Sequence, residues 1–133
     1  MKNFDVQHTL IQAPFNSVFE YIVNPKNLPE WTSAFSSADE NKAVLETPNG
    51  KLEVGLEVKS SKEHGTVDWH MTMPDGSVAA AYSRITPNGA SSSVYIFVLM
   101  APPGPIEQVE GTLKQQMELL QTELQNLQKI LGQ

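Results

Sequence analysis

Residues 51–76 read KLEVGLEVKSSKEHGTVDWHMTMPDG, and this stretch decides the fold. In its first half Leu52, Val54, Leu56 and Val58 alternate with Lys51, Glu53, Gly55, Glu57 and Lys59. In its second half Val67, Trp69, Met71 and Met73 alternate with Thr66, Asp68, His70 and Thr72. A period of two puts successive side chains on opposite faces of a strand, so each half is a strand with one covered and one wet face. The residues around His64-Gly65 are the turn between them. A two- or four-residue turn keeps apolar opposite apolar, whereas an odd one breaks both faces. Asn49-Gly50, His64-Gly65, Asp75-Gly76 and Asn88-Gly89 recur 15, 11 and 13 residues apart. Such pairs supply the positive φ that tight hairpins need, so the series predicts an antiparallel meander.

Two more strands fit residues 78–86 and 91–100 on the C-terminal side. Beyond Pro102-Pro103-Gly104-Pro105, the positions Ile106, Val109, Leu113, Met117, Leu120, Leu124, Leu127 and Leu131 keep an unbroken three–four spacing. That spacing predicts one amphipathic helix over 105–131, about 40 Å long and able to cross a whole sheet. Its prolines suit the start and Gly132 the end. A heptad-like stripe also suits a coiled-coil seam. Leu119 and Ile130 widen it beyond a narrow seam and favour packing on the chain's own sheet. On the N-terminal side, residues 4–12 alternate, with Phe4, Val6, His8 and Leu10 on one face. After Ala13-Pro14, the positions Phe15, Val18, Phe19 and Ile22 form a helical stripe that Asn24-Pro25 ends. Residues 25–31 suit a second, short helix, and 35–38 and 43–47 two short strands.

Composition narrows the function classes. The 133 residues suit a single domain, 1–133, with a real core. A net charge of −6, with Arg84 the one arginine, leaves no basic patch for nucleic acid or an anionic membrane. Without cysteine the chain has no disulfide, thiolate nucleophile or Cys-type zinc site. His8, His64 and His70 lack ligand spacing, so neither metal nor cofactor is expected. No secretory h-region opens the sequence, and the longest apolar run (residues 94–101) is too short to span a bilayer, which predicts a cytoplasmic protein.

The order strand, two helices, six strands, long helix resembles the START-like (SRPBCC, helix-grip) superfamily, above all its bacterial polyketide cyclase/dehydrase-like branch. The resemblance rests on Ile11-Gln12-Ala13-Pro14, on 18–22 (VFEYI), on Asn24-Pro25 and on Leu28-Pro29-Glu30-Trp31. Val67-Asp68-Trp69, Asp75-Gly76 and Pro87-Asn88-Gly89 also fit that branch. It implies an α+β helix-grip fold, a curved antiparallel sheet of about seven strands (β-α-α-β6-α) wrapped round the C-terminal helix, with a cavity between them. Members bind lipids, hormones or polyketides, and some catalyse cyclisation or dehydration. The short segment between Trp31 and Lys51 implies a small cavity. None of these motifs is a catalytic signature, so fold analogy leaves function open.

Residues of the covered face are the candidates for a ligand site. Trp69, Met71 and Met73 suit an irregular apolar guest or plain core packing. A three-residue turn through Asp75-Gly76 would set Ala79, Ala81 and Ser83 opposite Met71, Trp69 and Val67, leaving room. A two-residue turn would instead point Ala80 and Tyr82 inward. Trp31, which reads as a plug between the short helices and the sheet and lies near the mouth that the resemblance implies, completes the candidate set with Met117 and Leu120 on the helix, Ala81 and Tyr82. Asp68 and His70 share a strand face but lie on its polar side, with Lys59 and Glu57 able to sit opposite as ordinary charge pairs. His8 reads as a core histidine if its face is the covered one, and Arg84 as a surface arginine or a clamp for a carboxylate.

Three functions follow as alternatives. The first is binding or carriage of a small apolar or amphipathic molecule in the cavity. The second is an aromatase/cyclase-like enzyme, whose proton-transfer group would come from His8, Arg84, Tyr82 or Glu20. The third is a cavity-less interaction module. Residues 94–100 are apolar on both faces, which points to a homodimer interface on the outer face or to a covering loop.

Overall fold

A computed structural model describes residues 3–47, 50–102 and 104–132, with residues 106–110 as backbone only. Strand β1 (Phe4–Ile11) leads into helix α1 (Phe15–Val23), a 3-10 turn (Pro25–Asn27) and the short helix α2 (Leu28–Trp31). Strands β2 (Phe35–Ala38), β3 (Lys42–Thr47), β4 (Gly50–Ser61), β5 (Thr66–Thr72), β6 (Val78–Pro87) and β7 (Ser93–Met100) follow, and helix α3 (Ile106–Leu131) closes the chain. The strands form one antiparallel sheet in the order β1-β7-β6-β5-β4-β3-β2, curled into a half barrel. The fold is therefore α+β and of the helix-grip type.

Turn chemistry sets the registers. Four residues separate Ser61 from its partner Thr66, which keeps Val58 opposite Trp69 and Leu56 opposite Met71. Between β5 and β6 the N–H of Met73 bonds the carbonyl of Ser77 across the three residues Pro74-Asp75-Gly76. Asp75 Oδ1 accepts from both the N–H and the hydroxyl of Ser77, and Gly76 takes φ +89°. The result is the roomy register, with Ala81 opposite Trp69 and Ala79 opposite Met71. The expected turn at Asn49 lies outside the described residues, as do the side chains of Ile106 and Val109.

One strand faces the other way from the simplest expectation. On β1 the inward residues are Asp5, Gln7, Thr9 and Ile11, while Val6 (49% exposed) and Leu10 (41%) face out. Cross-strand partners share a face, and β1 pairs Thr9 with Tyr95 and Gln7 with Phe97, whose rings are buried. His8 is therefore an exposed residue of the outer face and not a core histidine. The strand compensates with polar clamps to α3: Gln7 Nε2 donates to the Met117 carbonyl (2.9 Å) and Gln128 Nε2 to the Leu10 carbonyl (2.8 Å).

Helix α3 buries Leu113, Leu120, Leu124 and Leu127 within the chain, as a sheet-packing helix should. Leu119 and Ile130 both remain exposed, so neither extends the buried stripe, although Leu119 still borders the space between α3 and the sheet. Gly132 ends the helix with φ −89°, outside the left-handed region. Glycine is needed there because a Cβ would stand 2.6 Å from the Gln128 carbonyl oxygen. Among the described residues no helix is long and apolar enough to cross a membrane.

Candidate functional site

Helices α1 and α2 are positioned by local hydrogen bonds. Asn24 Oδ1 accepts from the Lys26 N–H, Asn27 Nδ2 donates to the Tyr21 carbonyl, and Thr32 Oγ1 donates to the Leu28 carbonyl. Tyr21 donates to Glu30 Oε1 (2.6 Å), and burial together with that carboxylate pushes its phenol well above the ordinary value. These bonds hold Trp31 inward, 2% exposed, against Tyr95 (centroids 6.3 Å, 82°) and Phe97 (6.5 Å, 79°) in edge-to-face contacts. Phe97 in turn stacks on Trp69 at 5.8 Å. Aromatic residues from α2, β5 and β7 thus build one wall.

A cleft of about 530 Å³ opens beside that wall, between the curled sheet, α2 and α3. Trp69, Met71, Ala79, Ala81 and Phe97 line its sheet side, and Thr112, Gln116, Leu120 and Glu123 its α3 side. Space exists because alanine, not a larger residue, faces Trp69 and Met71 across the β5–β6 ladder. The buried N–H groups of Trp31 and Trp69 find no acceptor among the described residues.

Glu123 is the charged group set deepest in this lining. Its Oε2 accepts from the Ser33 N–H (2.6 Å) and the Ser33 hydroxyl (3.0 Å), which ties α3 to the segment between α2 and β2. Burial pushes its carboxyl above the ordinary value, opposed by the Ser33 and Ala34 donors.

Of the eight candidate residues, Trp31, Trp69, Met71, Met73, Ala81 and Leu120 line the cleft. Tyr82 does not: the observed register turns it to the outer face, 39% exposed, edge-on to His70 at 6.0 Å. Met117 is half-buried beside β1 and is absent from the lining. Proton-transfer candidates also fall elsewhere. His8 and Arg84 are exposed on the outer face, and Glu20 forms an exposed ion pair with Lys62 at 2.9 Å. Asp68 lies opposite Lys59 and His70 opposite Glu57 in register, but Lys59 pairs along its own strand with Glu57 Oε1 (3.8 Å), and Asp68 Oδ1 accepts the Ser83 N–H (3.3 Å). Sequence reasoning missed Glu123. The signal was its position three residues after Leu120 and four before Leu127, which places it on the buried stripe.

No family model matches the sequence, and no curated protein sequence does. Solved structures share the fold. A START superfamily protein from Mycobacterium smegmatis superposes with a TM-score of 0.74 at 11% identity, over 98% of this chain and 97% of its own. Protein XoxI from Bacillus cereus gives 0.70 at 11% identity, over 98% and 96%. The di-domain aromatase/cyclase BexL of the BE-7585A biosynthetic pathway gives 0.71 at 12% identity, over 97% of this chain and 46% of its own.

Proposed function

From the START-like helix-grip fold that the chain has, we propose that it binds and carries a small apolar or amphipathic molecule in the cleft under α3. The observation that carries this reading is the pairing of Ala81 with Trp69 and Ala79 with Met71, which leaves an apolar space of about 530 Å³ where a packed core would have none. Apolar walls supply the affinity, and the few polar groups near Ser33 and Glu123 set the orientation. Native mass spectrometry of freshly purified protein tests it. A discrete adduct of small-molecule mass, lost on denaturation and exchangeable for an added apolar compound, is expected. Protein that emerges bare and stays bare with every apolar compound added would overturn the reading.

An enzyme of the aromatase/cyclase kind is a second reading, favoured by Glu123, a titratable group facing the cleft. Carriage is preferred because, among the described residues, the lining holds no histidine, lysine, arginine or tyrosine to share a proton transfer with that carboxylate. For assembly, the exposed Val6 and Leu10 beside Val94 and Val98 on edge strand β1 and its neighbour support a homodimer, which the same spectra would register.

A further inference from the structure

We infer that the cleft takes a cationic amphiphile, an apolar body carrying an ammonium group, with Glu123 as its counter-ion. This rests on the reading of the cleft as the binding site and adds the sign of the ligand's charge. Among the described residues the lining contains two charged side chains, Glu46 and Glu123, and no lysine, arginine or histidine. The lysine nearest in register, Lys51 opposite Glu46, is exposed and lies outside the lining. An anionic head group entering this space would meet two like charges and no donor cation. An ammonium meets complementary charge, in a site where low-dielectric walls strengthen the interaction.

Glu123 is suited to the role by position as well as charge. It lies one helical turn from Leu120, and both line the cleft, so a head group at Glu123 leaves the body against Trp31, Trp69 and Phe97. Ser33 fixes the carboxylate through two bonds to one oxygen and the Ala34 N–H adds a third donor, so of the about four acceptor sites of an ionised carboxylate one remains for an ammonium donor. Burial makes the unpaired charge costly, and a bound cation offsets that cost.

The test uses three probes of equal chain length and different head group: decylamine, decanol and decanoate, the two ionic ones below their micelle concentrations and decanol below its solubility limit. Each displaces the neutral fluorophore N-phenyl-1-naphthylamine from wild type, Glu123→Gln and, as a control for the overall acidity of the surface, Glu57→Gln. In about 0.15 M salt, where the Debye length is about 8 Å, distant charges are screened. Decylamine is expected to bind at least about tenfold more tightly than decanoate. Glu123→Gln should lose that preference with decanol unchanged, and Glu57→Gln should keep it. Decanoate binding as tightly as decylamine, in wild type alone, would overturn the charge assignment while leaving the cleft as a binding site. A preference that survives Glu123→Gln would remove Glu123 from the role. If neither the fluorophore nor any probe binds, the cleft reading fails, and this inference with it.

Discussion

Gly65→Ala is expected to cost the protein at least about 3 kcal/mol, whereas Gly76→Ala should cost only about 1 kcal/mol. Both glycines sit at positive φ, +73° and +89°, in turns of the same meander. A non-glycine residue in that conformation loses about 1–2 kcal/mol through contact of its Cβ with its own backbone. Around Gly76 nothing lies within 4 Å of an added Cβ, so the conformational cost stands alone. At Gly65 the added Cβ would stand 2.2 Å from the Ile85 carbonyl oxygen and 3.1 Å from Phe15 Cε1. The Gly65 carbonyl also accepts the Ile85 N–H at 2.7 Å, so any backbone retreat strains that bond as well. This turn is the point where the β4–β5 hairpin docks on β6 and α1. Urea unfolding of the two variants side by side checks the difference, and equal losses would show that the docking is not tight.

Ala81→Leu is the second large effect, and it separates binding from stability. Ala81 is 8% exposed, faces Trp69 across the ladder and lines the cleft. Leucine adds three carbon atoms, each worth up to about 0.8 kcal/mol when buried against a wall that already exists. Stability should therefore be unchanged or raised by up to about 2 kcal/mol, while affinity for an apolar probe falls at least about tenfold. In a tightly packed core the same substitution would cost about 1–3 kcal/mol by overpacking. Thermal unfolding and probe titration on one sample distinguish the two cases. A loss of several kcal/mol would mean that Ala81 has no empty space in front of it.

How far the chain could be read beforehand depended on what each pattern encodes. Strands β4 and β5 were legible because their alternation is regular and their four-residue turn preserves both faces. Alternation separates two faces without saying which is covered, and β1 shows the consequence. Its apolar side faces out because pairing with β7 ties Thr9 and Gln7 to the buried rings of Tyr95 and Phe97. The β5–β6 register turned on a single residue of turn length, and Pro74-Asp75-Gly76 is compatible with either. The Asp75–Ser77 bonds and the Met73–Ser77 pair decide it in three dimensions. That one residue is why Ala81 lines the cleft and Tyr82 does not. Glu123 stayed hidden for another reason. On a helix rich in glutamine and glutamate, an acid beside the apolar stripe reads as solvated until the partner segment carrying Ser33 is seen to fold across it.

The chain carries two built-in reporters of the cleft. Its two tryptophans, Trp31 and Trp69, both line it, and both indole N–H groups are buried. In a ¹H–¹⁵N spectrum their side-chain signals stand apart from the backbone amides. Titration with N-phenyl-1-naphthylamine should move both indole signals, together with the amides of Ala81 and Glu123, along one saturating curve at a ratio of one to one. Indole signals that stay in place while the amides of Val6, Leu10 and Val98 on the outer face respond would contradict a binding cleft under α3.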